Sequence, residues 1–100
     1  MNYIAKNIYD TLPVLKVGTA KTSVEVTSEP YLKSSSMGFL PCIRVKVSRS
    51  GLEYTLVIGA KSLGIPIDAL RPDSGEFTGI KFEICKESDV KMAKYKVFAL

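Results

Sequence analysis

The sequence predicts an all-β domain, a small barrel of five strands with one short helix between the third and the fourth. Two observations carry this. Apolar and polar residues alternate with period two in several short runs separated by turn residues, the clearest being Cys42–Ser48, with Ile43, Val45 and Val47 on one face and Arg44, Lys46 and Ser48 on the other. Between the third and fourth runs the period changes, and Ala60, Leu63, Ile67 and Leu70 fall three and four residues apart, as on one face of a helix.

The elements follow in order. Ile4, Ile8 and Leu12 recur every four residues ahead of Pro13, so residues 1–13 form either a short helix or an irregular arm anchored by Tyr3 and Tyr9. Val14–Thr27 is rich in β-branched residues and predicts a long first strand, bent at Gly18. Ser28–Pro41 holds Pro30, three consecutive serines, Gly38 and Pro41 and predicts a loop. Cys42–Ser48 is the second strand and Arg49-Ser50-Gly51 a turn. Leu52–Ile58 is the third strand, with Leu52, Tyr54, Leu56 and Ile58 inward and Glu53, Thr55 and Val57 outward. Gly64 and Pro66 interrupt the helical stretch Gly59–Leu70, which predicts one turn near Lys61–Leu63 and another over Pro66–Leu70. Arg71–Gly75 is a turn. Phe77–Lys86 is the fourth strand, with Ile80, Phe82 and Ile84 inward and Lys81, Glu83 and Cys85 outward, and Lys94–Leu100 is the fifth.

At 100 residues, with 46% hydrophobic and 24% charged residues, the chain is expected to form one globular domain over residues 1–100. A chain of this length buries about two-thirds of its unfolded surface on folding and needs no covalent staples. No apolar run reaches the ~18 residues of a membrane span, and residues 1–7 lack the order of a secretion signal, so a cytoplasmic location is expected. The two cysteines, Cys42 and Cys85, are expected as free buried thiols. With no histidine and no cysteine pair at ligand spacing, neither a metal nor a cofactor is expected. No phosphate-binding, nucleophile-elbow or dinucleotide fingerprint occurs, and Asp68, Asp73 and Glu76 fall where helix caps and turns place acids, so the chain is expected not to be an enzyme.

Three stretches, "EYTLVIGAKSL" running into the helix, "FTGIKFEI" and the final "KYKVFAL", follow a pattern that resembles small archaeal, viral and phage OB-fold proteins of the single-stranded DNA-binding type. The resemblance spans roughly Val14 to Leu100 and is strongest over Glu53–Ile84. It implies an OB-fold-like barrel that binds oligonucleotides on its second and third strands and the neighbouring loops. Two departures stand out: the helix is interrupted, and the second and third strands carry no outward aromatic platform.

In that setting the basic residues take on meaning. Arg44 and Lys46 on the second strand, Arg49 at the turn, and Lys94 and Lys96 on the fifth strand are expected to meet phosphates, supporting the moderate net charge of +4. Tyr31, beside Lys33, is the expected stacking ring of the loop, and Phe39 is either a second ring or a cover for the end of the barrel. Phe98 is either a surface contact or a floor for the N-terminal arm. The expected function is non-catalytic binding of single-stranded DNA or RNA with weak sequence preference. The alternative is a protein–protein adaptor, or a subunit of a replication or viral assembly, docking through residues 1–12.

Overall fold

A computed structural model describes residues 12–36, 38–90 and 92–100. Its elements are β1 (Thr22–Val26), β2 (Tyr31–Ser35), β3 (Gly38–Val47), β4 (Glu53–Val57), α1 (Lys61–Ala69), β5 (Lys81–Lys86) and β6 (Tyr95–Ala99). The strands form one antiparallel sheet in the order β2-β3-β1-β5-β6, with β4 also paired to β3. None of the described helices is long and apolar enough to cross a membrane. The arm or helix expected over 1–13 lies, except for Leu12 and Pro13, outside the described residues.

The ten-residue β3 organises the sheet. On one flank its residues 42–46 pair with β4. On the other, Val45 pairs with Val26 of β1 and Cys42 with Tyr31 of β2. Residues 27–30 therefore face only Ile43 and Arg44, a bulge of two extra residues that bends the chain between β1 and β2. Backbone bonding at the bulge is completed by a side chain, as Arg44 N–H donates to Ser28 Oγ at 2.9 Å.

The segment predicted as a loop, 28–41, thus contains β2 and the start of β3. Pro41 is accommodated because a strand residue sends its N–H and C=O to the same flank. Its carbonyl accepts from Ile58 N–H at 2.9 Å, so its missing donor falls just past the end of β4. The predicted long first strand is shorter than expected. Only Thr22–Val26 is strand, while Val14 makes an isolated parallel bridge to Thr55 at the outer edge of β4. Gly18 lies ahead of β1, where its carbonyl accepts from Lys86 N–H at 2.8 Å. The sheet has six strands where five were predicted, and it does not close: β6 ends one side of the strand order.

The turn between β3 and β4 forms as expected. Gly51, at φ +71°, takes the left-handed conformation that its position requires, with its N–H on Val47 O at 2.8 Å. The helix differs from prediction, running unbroken from Lys61 to Ala69 with Gly64 and Pro66 inside it. Gly64 is there for contact: a Cβ at this position would stand 2.6 Å from the carbonyl oxygen of Ile58. The helix buries Leu63 and Ile67, and Ser62 Oγ accepts from Tyr95 N–H at 3.1 Å, docking it to the start of β6.

The core lies on one face of the sheet, where Val24, Val26, Ile43, Val45, Leu56, Phe82 and Ile84 meet Leu63 and Ile67. The inward set predicted for the fourth strand is buried, as are Ile43 and Val45 of the second, while Val47 is half-buried at the edge of the core. On the third, Leu52 is exposed instead, because it sits in the turn before β4. Thr55 and Cys85, expected outward, are buried, and both cysteines are free thiols.

Candidate nucleic-acid interface

The face of the sheet opposite the core carries most of the predicted binding residues. Registers place Lys46 opposite Glu53 on β4 and opposite Glu25 on β1, and Glu25 in turn opposite Lys81 on β5. One row across four strands therefore reads Glu53–Lys46–Glu25–Lys81, negative and positive in alternation. Directly opposed side chains have Cβ atoms about 5 Å apart, and each opposite-charge pair contributes roughly 0.2–1 kcal/mol. Among the described residues the ion pair within 4.0 Å is Arg71–Asp68, at 2.9 Å. Lys46 is thus flanked by two carboxylates but locked to neither.

Arg44 occupies the next row, opposite Thr55. Its guanidinium carbon stands 5.9 Å from the centre of the Tyr31 ring, a cation–π contact at the outer limit of range. Tyr31 is 6% exposed, and its hydroxyl lies 3.1 Å from Thr55 Oγ1. Phe39 is 58% exposed. Tyr31, the expected stacking ring, is packed into the sheet face, whereas Phe39 is a ring that solvent reaches.

The remaining predicted residues are scattered. Lys33 is half-buried on β2 opposite Leu40, while Lys96 is exposed on β6 opposite Cys85, three strands away from β3. Lys94 is exposed just before β6, and its carbonyl accepts from Glu87 N–H at 3.0 Å. The structure does not bring these lysines together with Arg44 and Lys46.

Arg49 stands in a different setting. It lines a cleft of about 620 Å³ formed by the β3–β4 turn, the start of β1 and the chain at Leu15. Lys21 supplies a second cation, and Thr22, Ser23, Ser48, Ser50 and Tyr54 supply hydroxyls. Leu15, Val47 and Tyr54, which pack against the core, give the cleft an apolar side. Among the described residues no carboxylate lines it, and Glu83 stands at its margin, where it accepts from Ser23 Oγ at 3.3 Å. Lys21 Nζ is also 4.4 Å from the centre of the Phe98 ring, which places an exposed aromatic face beside the basic group.

Two cations and several hydroxyls suit an anion, because neither Lys21 nor Arg49 is held in an ion pair within 4.0 Å among the described residues. Lys21 is hidden in the sequence because it falls within Val14–Thr27, whose β-branched residues predict one long strand bent at Gly18. The available signal was the hydroxyl-rich setting of the two cations, "TAKTS" and "SRS".

A different polar residue organises the opposite side of the bulge. Glu29 accepts from Thr78 N–H at 2.9 Å, Thr78 Oγ1 at 2.8 Å and Phe77 N–H at 3.0 Å. Burial works against its charge, but those hydrogen bonds and nearby Arg71 outweigh it and hold the carboxyl below the ordinary glutamate value of 4.5. Glu29 therefore fastens the β1–β2 bulge to the turn before β5. Among the described residues no cluster of potential ligands could hold a metal ion.

Comparison with known proteins finds no matching family model, no matching curated protein and no matching solved structure.

Proposed function

We propose that this chain binds a single-stranded nucleic acid, without catalysis and with weak sequence preference, and that it does so as an OB-like barrel whose phosphate contacts lie in the Lys21–Arg49 cleft. The order of pairing supports the fold. β1 and β2 follow one another along the same flank of β3 and act as one bent strand, which reduces six strands to five, and α1 stands between the third and fourth of these. The meeting of Lys21 and Arg49 in one cleft carries the functional reading. Hydroxyls and backbone fix a phosphate without reading a base, which is why the sequence preference is weak. Phe98, beside Lys21, and exposed Phe39 offer rings on which bases stack.

The test is a fluorescence-anisotropy titration with single-stranded DNA, single-stranded RNA and duplex across a salt series. For a single strand each phosphate contact contributes a slope of about −0.7 in log K against log salt. The double variant Lys21→Ala/Arg49→Ala is expected to make that slope shallower by about 1.4, twice the single-contact value. Arg44→Ala/Lys46→Ala is expected to change it less. Binding unaltered by loss of Lys21 and Arg49 overturns the assignment of the cleft.

A further inference from the structure

We propose that the free edge of β6 is an acceptor for an extended peptide in which acidic residues alternate with apolar ones. β6 ends the strand order, with β5 on one flank only. Along β5, the Leu100 N–H donates to Lys81 O and Glu87 N–H donates to Lys94 O, so the even-numbered residues of this stretch direct their backbone groups towards β5. Tyr95, Val97 and Ala99 then direct theirs to the open flank. Ser62 Oγ takes the Tyr95 N–H. The N–H groups of Val97 and Ala99 and the carbonyls of all three residues have no partner on that flank among the described residues. These five groups are a ladder about five residues long, and an added strand satisfies it through its own backbone.

The side chains beside that ladder define the occupant. Exposed Lys94 and Lys96 lie on one face, so the residues of an incoming strand on that face are acidic. Val97 and Ala99 lie on the other face. Near the end of β6 that side opens into a groove of about 410 Å³ bounded by Leu70, Pro72, Ile80 and Leu100, which favours apolar residues at the alternate positions. A second copy of this chain is a poorer occupant. Two β6 strands paired edge to edge set Lys94 and Lys96 of both copies on one face, without an acid from β6 to offset them. The groove shares no lining residue with the Lys21–Arg49 cleft, and the two surfaces meet only at Phe98, under Lys21.

The experiment uses the full chain labelled with ¹⁵N and three synthetic octapeptides: alternating Asp-Val, alternating Lys-Val, and the Asp-Val peptide N-methylated at every second backbone nitrogen. Amide shifts at Val97 and Ala99, with slowed hydrogen exchange, are expected for Asp-Val alone. The charge-reversed variant Lys94→Glu/Lys96→Glu is expected to weaken Asp-Val binding at least tenfold and to bind Lys-Val instead, a gain that misfolding cannot produce. Arg49→Ala, which keeps the Lys21 contact on Phe98 of β6, is expected to leave peptide binding unchanged and to weaken oligonucleotide binding, which separates this edge from the nucleic-acid reading. No shifts at Val97 and Ala99, or equal binding of the N-methylated peptide, overturns the proposal. Concentration-dependent shifts of those amides without peptide overturn the occupant in favour of a second copy.

Discussion

Single atoms decide several features of this fold. Gly64 has the low helix propensity that makes it look like a breaker, yet the 2.6 Å gap between a virtual Cβ and Ile58 O shows that the position needs the absence of a side chain. Gly64→Ala gains roughly 1 kcal/mol of propensity. It forces α1 away from backbone that cannot rotate aside, at a cost of about 1–3 kcal/mol. A net loss of stability in urea denaturation is the expected result, and a gain would show that the helix shifts freely. Glu29 works through charge. Because its folded pKa is lowered, its contribution is complete above the ordinary value of 4.5 and disappears as pH falls through the lower folded value. Glu29→Gln is expected to cost about 1 kcal/mol at neutral pH, for hydrogen bonds that are partly solvated. It should also flatten the acid limb of the stability curve below pH 4.5, measured by urea midpoints from pH 7 to pH 3. Neither role was legible from the sequence, since Glu29 depends on Thr78, 49 residues away, and Gly64 on how the chain folds back against the Ile58 carbonyl. The same is true of Tyr31, which "EPYLKSSS" presents as a loop ring and β3 turns into a packed one.

Elements were legible where a local period survives. The alternation of Cys42–Ser48 gave the C-terminal half of β3 and its buried face, and the spacing of Leu63 and Ile67 gave the packed face of α1. β2 was not legible, because serines and prolines have no intrinsic preference for strand. Pairing with β3 supplies the order, and the two-residue bulge hides the continuity with β1. The continuity of α1 was hidden for a related reason. Pro66 removes the N–H that would reach Ser62 O, and its ring crowds that carbonyl, an interior proline cost of about 3 kcal/mol. Packing of Leu63 and Ile67 outweighs it, since burying each such side chain contributes about 1.5–3 kcal/mol. Pro66→Ala is therefore expected to raise stability by about 1–3 kcal/mol, offset in part by the greater freedom of the unfolded chain. A lower thermal midpoint for this variant would show that the proline ring contributes packing that exceeds the lost hydrogen bond.

Charge is distributed over the whole molecule in a way that separates structure from binding. The formal excess of +4 does not reside on the central row of the sheet, where Glu53, Lys46, Glu25 and Lys81 alternate and cancel. That row is a set of cross-strand pairs spanning four strands, whereas the cleft brings Lys21 and Arg49 together, with Glu83 at its margin accepting from Ser23 Oγ at 3.3 Å. If the sheet face were the binding surface, Lys46 would be held back by its two flanking carboxylates, and removing them would release it. If the cleft is the surface, the same change should be silent for binding and visible only in stability. Glu25→Gln/Glu53→Gln is expected to keep oligonucleotide affinity within about twofold at fixed moderate salt, because neither glutamate lines the cleft and salt screens exposed charges that do not touch the strand. It is expected to lower stability by about 1 kcal/mol, for the cross-strand pairs lost and the Thr27–Glu53 hydrogen bond weakened. Anisotropy and urea denaturation on the same preparation read both quantities. A tenfold tighter complex in this variant would return the strand to the open face of the sheet and leave the cleft without its proposed role.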